Sequence, residues 1–136
     1  MHIKKRITII RITRPAEPSF NEVLRWFGDS LGLFHLRDKD KSCFRIFLEL
    51  LKSAKTGVGL SSDEIAEKTS LSRGTVVHHL NKLMEAGLIV QQRNRYYLRD
   101  PSLESLLNHL KRDFENTFEE LRSAAREIDN ILRLRV

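Results

Sequence analysis

With Cys43 as its only cysteine, the chain has no means of forming an internal disulfide, which fits the reducing cytoplasm. The neighbours Phe44, Ile46 and Phe47 predict a buried, structural thiol. No stretch approaches the roughly 18 consecutive apolar residues of a membrane span. The charged N-terminus has no long apolar run behind it, so no secretory signal is expected. There is no P-loop, no glycine-rich dinucleotide turn and no nucleophile elbow, and an enzyme reading therefore gains no support. Metal ligation lacks a basis as well. His78 and His79 adjoin on one predicted helix and point about 100° apart, while His35 and His109 have no cysteine or acid at ligand spacing. No cofactor is expected. Repeats and low-complexity segments are absent.

What is present suits one compact domain with an extension. The chain has 136 residues and is 40% hydrophobic, enough for a modest core. Its net charge of +6 favours a polyanionic partner. The distribution says more than the sum. Lys4, Lys5, Arg6, Arg11 and Arg14 open the chain without an acid among them, whereas residues 101–136 are slightly acidic and form no basic tail. Between Arg73 and Arg99, five basic residues face one acid, Glu85.

Residues 61–99 carry the most specific pattern. Ser61 and Glu64 form a capping box at a helix start, and Asp63 adds charge favourable to the helix dipole. Ile65 and Ala66 face inward, the helix fails near Thr69-Ser70, and Leu71 plugs the turn. Ser72 is the expected N-cap of a second helix over 73–86, with Gly87 as its left-handed stop. Val76, Leu80 and Leu83 share its buried stripe. Val77, His79 and Met84 flank that stripe. Arg73, Gly74, Thr75, His78 and Lys82 lie opposite. Gly74 has no side chain to hold a groove away, and the helix N-terminus favours a phosphate. Leu88-Ile89-Val90 and Tyr96-Tyr97-Leu98 then read as two strands. Arg93 and Arg95 flank Asn94 at the hairpin tip, where they suit phosphates or a narrow minor groove.

The string DEIAEKTSLSRGTVVHHLNKLMEAGLI resembles the winged helix-turn-helix regulators of the ArsR and MarR type, common in archaea and bacteria. The similarity spans about residues 42–99. It implies a prokaryotic, archaeal source and DNA contacts at Ser72, Arg73, Thr75, Val77, His78 and Lys82, with phosphate contacts on the wing. Val77 departs from the small polar residue usual there and offers at most a touch on a thymine methyl. The paired-cysteine motif of the metal-sensing members is absent.

The flanks complete the expectation. Residues 3–13, rich in isoleucine and threonine, predict a strand that pairs with a second subunit or a wing edge. Its basic residues would either touch phosphates or keep an edge soluble. Pro15 and Pro18 make a stiff break. A helix capped by Ser19 and Glu22 then runs to about Leu31, and Trp26, Phe27 and Phe34 form either core or a ligand pocket. Asp40 is the expected cap of a helix over 42–54, which Gly57 and Gly59 close. Asp100 and Pro101 open a last helix to about Leu134, with an apolar stripe of Leu103, Leu107, Leu110, Phe114, Phe118, Leu121, Ala125, Ile128 and Leu132. Several of these recur after eleven residues. A two-helix coil across a dimer axis would cover the stripe, with packing onto the Trp26 helix as the competing solution.

The chain is thus expected to be mainly α with a small β-wing: an N-terminal strand and helix (1–40), a winged helix-turn-helix domain (41–99) and a dimerisation helix (100–136). The expected function is a cytoplasmic, homodimeric transcription regulator that reads double-stranded DNA. A protein-interaction adaptor and a sensor switched by a small-molecule effector are the alternatives.

Overall fold

The computed structural model describes residues 5–17, 19–34 and 41–134. Its elements follow in the order α1 (Phe20–Ser30), α2 (Ser42–Ala54), α3 (Ser62–Thr69), α4 (Arg73–Glu85), β1 (Ile89–Gln92), β2 (Arg95–Leu98) and α5 (Leu103–Leu132). The fold is mainly helical, with one antiparallel hairpin after α4 and a long last helix, the architecture of a winged helix-turn-helix.

Capping serines start four of the helices. The side chains of Ser19, Ser61, Ser72 and Ser102 each accept a hydrogen bond from the backbone N–H three residues on, satisfying a donor that a helix start leaves open. Ser70 ends α3 in a left-handed conformation, and Arg45 of α2 donates to the Thr69 carbonyl beside it. These two features turn the chain sharply between α3 and α4.

The core lies where α2, α3 and α4 meet. Ile46, Phe47 and Leu50 of α2, Ile65 of α3 and Val76, Leu80 and Leu83 of α4 are all fully buried. Each such side chain contributes about 1.5–3 kcal/mol. Leu24 and Leu33 join the same cluster from before α2, and Leu98, Leu106 and Leu110 join it from beyond β1. Cys43 is buried there too, as its neighbours implied.

The hairpin pairs Ile89 with Leu98 and Gln92 with Arg95. Its turn is the two residues Arg93 and Asn94, both left-handed at φ 53° and 63°, the backbone of a type I′ turn. Leu60 adds a third rung. Its N–H donates to the Tyr96 carbonyl (3.1 Å), and its carbonyl accepts from the Tyr96 N–H (2.8 Å).

Four expectations need correction. Residues 5–13 form no strand. Their backbone bonds run singly to helix ends, Arg6 N–H to the Glu85 carbonyl (2.9 Å) and Ile10 N–H to the Ser30 carbonyl (2.7 Å), because carbonyls at helix C-termini lack partners. The place beside the wing is taken by Leu60. The N-cap of α2 is Lys41, left-handed and without a side-chain bond, while Asp40 lies outside the described residues. Gly57 (φ +73°) does turn the chain after α2, whereas Gly59 lies under the Tyr97 ring, with no room for a Cβ.

The last correction concerns α5. Ser102 caps it, standing next to the first apolar position, Leu103. Asp100 is buried instead; its Oδ1 accepts from Ser105 Oγ (3.4 Å) and lies 2.6 Å from His109 Nδ1. The fold thus brings an acid to His109 that linear spacing did not suggest. The apolar stripe also divides. Leu106, which the eleven-residue pattern omits, is fully buried with Leu110 against the core, whereas Leu107, Phe114, Phe118 and Leu121 are exposed.

Candidate nucleic-acid interface

With Val76, Leu80 and Leu83 committed to the core, the opposite side of α4 turns outward. Arg73, Gly74 and His78 are exposed, Thr75, Val77 and Lys82 half-buried. The helix starts at its most exposed point. Ser72 Oγ accepts from the Thr75 N–H (3.2 Å) and donates to Thr75 Oγ1 (2.8 Å), so the two hydroxyls are held together at the positive end of α4. A Cβ added at Gly74 meets nothing within 4 Å, and its backbone is ordinary helix. Neither packing nor conformation calls for glycine there.

Two of the expected contact residues already have work inside the fold. Lys82 Nζ donates to the Leu33 carbonyl (3.3 Å), which holds its ammonium beside the segment after α1. Arg73 Nε lies 3.6 Å from Asp63 Oδ1, an ion pair between the first turns of α3 and α4 in which both side chains stay largely exposed. Such a pair is weak and readily exchanged for a stronger anion. Asn81, one turn beyond His78, is exposed on α4 and is missed by the sequence reading, although its spacing of three from His78 marks it.

The wing separates the two arginines that look equivalent in sequence. Arg93 sits in the turn itself, exposed, with Asn94 beside it. Arg95 belongs to β2 and turns back: Nη1 donates to the Gly59 carbonyl at 2.7 Å and lies 3.0 Å from Glu64 Oε1. Arg95 therefore braces the wing against the start of α3 and is not a tip residue. The alternation of side chains along a two-residue hairpin explains this, since it places Arg95 and Tyr97 on one face over Gly59. Gln91 and Gln92 are exposed beside Arg93 on β1.

The basic N-terminal segment is likewise used internally. Lys5 Nζ and Arg99 Nη1 both reach Asp113 Oδ2 at 2.7 Å, joining the first described residue, the foot of the wing and α5 at one carboxylate. The hydrogen bond from Arg99, ahead of that from Lys5, holds the Asp113 carboxyl below its ordinary range, against the opposing effect of burial. Arg6 Nε bonds Glu85 Oε1 (2.7 Å), and the Arg14 guanidinium lies over the Trp26 ring. Lys4 lies outside the described residues.

The aromatic residues near α1 pack on one another. Phe34 meets Phe44 edge-on at 5.1 Å and fills the space over Gly28, while Trp26 Nε1 donates to the Ile12 carbonyl (2.9 Å). His78 and His79 contact each other's rings, and among the described residues no group of three or more His, Cys, Asp or Glu side chains is placed to hold a metal. His35 lies outside the described residues. No described helix is long and apolar enough to cross a membrane.

Neither the curated proteins nor the solved structures compared with the chain gave a match. A family model described as a helix-turn-helix domain matches residues 40–92, from the approach to α2 through to the end of β1. The chain thus carries a helix-turn-helix domain over this stretch, a kind of domain found in DNA-binding regulators.

Proposed function

We propose that the chain is a sequence-specific, double-stranded DNA-binding transcription regulator of the ArsR- and MarR-like prokaryotic type, of archaeal origin, working in the cytoplasm as a homodimer. The outward face of α4 enters a major groove. Arg73, Gly74, His78 and Asn81 meet the bases or their flanking phosphates, and Ser72 and Thr75 offer the helix N-terminus to a phosphate. Arg93 and Asn94 lie on the phosphates or in the adjoining minor groove. Lys82 and Val77 hold the edge of the interface.

The observation that carries this reading is Gly74. A glycine in a helix sacrifices up to about 1 kcal/mol relative to alanine, and nothing inside the fold requires it. The close approach it permits is from outside. Arg93 makes the same point from the wing. A left-handed arginine is strained where asparagine or glycine would not be, so its side chain is the feature retained.

The test is fluorescence anisotropy with DNA from upstream of the chain's own gene and with scrambled DNA, over a salt series. Gly74→Ala is expected to raise thermal stability, while Gly74→Leu abolishes preference for the upstream DNA and leaves the fold intact. Arg73→Ala and His78→Ala each weaken specific binding by about 1–3 kcal/mol. Wild-type preference in Gly74→Leu would show that α4 does not read the groove. Absence of DNA binding even at low salt would put the protein-interaction adaptor in its place.

A further inference from the structure

The exposed face of α5 carries apolar side chains that no described part of the protomer covers. From Leu107 to Leu132 the spacing of its outer seam alternates four and three, through Lys111, Phe114, Phe118, Leu121, Ala125 and Ile128. Its large apolar members are 41–64% exposed. This is a heptad seam with one lysine in it; Leu106 and Asp113 point away to one side, toward the chain's own core and N-terminal segment, and the buried Leu110 marks the border between the two faces. Nothing in the described protomer competes for it.

We infer that α5 pairs with α5 of a second copy as an antiparallel coil centred between Glu119 and Glu120, with Glu115 of each protomer opposite Arg122 of the other. This rests on the homodimer reading above and adds orientation and register to it. Three observations select the arrangement. The seam closes on itself only there over its whole length, placing Leu107 opposite the partner's Leu132, Phe114 opposite the partner's Ala125 and Phe118 opposite the partner's Leu121. The largest side chain thus meets the smallest, as close packing requires. The flanking positions complement one another as well. Glu115 faces the partner's Arg122 twice per dimer. Within one chain Arg122 already leans over the Phe118 ring, with its centre 4.9 Å from the ring centroid, at the edge of this seam.

The rival arrangements fail on charge and volume. A parallel, in-register coil stacks Lys111 on the partner's Lys111 inside the seam, sets Phe114 against Phe114 and leaves Ala125 against Ala125, so that large side chains meet large and small meet small. An antiparallel coil shifted by one heptad, centred on Ser123, opposes Arg122 to the partner's Arg122 and Glu115 to the partner's Asp129. Like charges so placed are destabilising.

The geometry has a direct consequence for binding. Leu106, where α5 joins its own core, lies about 13 residues from the centre. The two attachment points are therefore on the order of 40 Å apart along the coil. That is close to the roughly 34–36 Å between successive major-groove faces of one DNA side. The antiparallel coil sets the two α4 helices at opposite ends of one ruler.

The experiment joins sedimentation with a distance measurement on the full chain. A spin label on Asn130→Cys, with the parent protein as control for buried Cys43, gives a separation above about 35 Å in the proposed register, against about 20 Å in a parallel coil and below about 30 Å in the shifted one. Glu115→Arg and Arg122→Glu each weaken dimerisation about tenfold, and the double reversal restores it. Dimers with the shorter separations, or without restoration by the double reversal, overturn the register while leaving the homodimer. A monomer at high concentration overturns both.

Discussion

Arg93 and Arg95 stand two residues apart in a hairpin, and their removal is expected to have opposite consequences. Arg95→Ala deletes the bond to the Gly59 carbonyl at 2.7 Å and the pairing with Glu64 at 3.0 Å. A hydrogen bond from a charged donor contributes about 1.5–3 kcal/mol when buried, an exposed ion pair about 0.2–1. The Arg95 side chain is 43% exposed, so the two interactions together are worth about 1–2 kcal/mol. With a urea dependence of about 1–2 kcal/mol per molar for a domain of this size, the unfolding midpoint falls by about 1 M. Arg93→Ala leaves the midpoint where it is, because alanine occupies the same left-handed turn at a strain similar to that of arginine. It lowers instead the slope of log K against log salt by about one unit per wing. Urea unfolding followed by circular dichroism and anisotropy titrations over salt measure the two quantities. If Arg95→Ala were as stable as the parent and lost salt dependence as Arg93→Ala does, the assignment of Arg95 as a brace would be refuted.

Asp113→Asn is expected to destabilise by about 1–2 kcal/mol at neutral pH, since it unties both Lys5 and Arg99. Because Asp113 has its pKa lowered in the folded state, its contribution is complete above about pH 5 and fades as the pH falls through the usual carboxylate range near 4 and below. The melting temperatures of parent and variant should therefore converge toward pH 3, and a gap that stays constant would exclude the carboxylate as its source. Gly59→Ala places a Cβ 2.4 Å from Tyr97 Cζ and forces that ring aside, at about 1–3 kcal/mol. The penalty should largely disappear in a Tyr97→Ala background, and a double-mutant cycle showing simple additivity would locate the strain elsewhere.

Much of the helical frame was legible because it rests on local chemistry. Ser61, Ser72 and Gly87 mark boundaries by satisfying or ending backbone bonding within a few residues, and Val76, Leu80 and Leu83 announce their face by spacing. Misread features were those decided by contacts distant in sequence. Isoleucine and threonine over residues 3–13 have the propensity for a strand, yet the free carbonyls of Ser30 and Glu85 and the prior claim of Leu60 on the wing edge decide otherwise. Arg95 was assigned to the tip because composition cannot fix the length of the turn. A shift of one residue in the hairpin moves it to the other face. On α5, an eleven-residue period merged two faces into one stripe, and only the burial of Leu106 separates the face that packs at home from the face that looks outward. In the candidate site, Gly74 and His78 were identified by exposure to be expected on a helix, whereas the engagement of Lys82 with Leu33 depends on a segment almost fifty residues earlier.

The core has a consequence for what can be cut out of this protein. The matched helix-turn-helix segment, residues 40–92, stops before Tyr96, Leu98, Leu106 and Leu110 and begins after Leu24 and Leu33, all of which are buried in the same cluster. Excised on its own, that segment would present the inner faces of α2 and α4 to water and lose the rung that Leu60 makes with Tyr96. The stretch recognisable by descent is therefore shorter than the stretch that melts cooperatively. Grafting its reading head onto another scaffold requires carrying along the first turns of α5 and the residues around α1, or supplying new apolar cover where they had been.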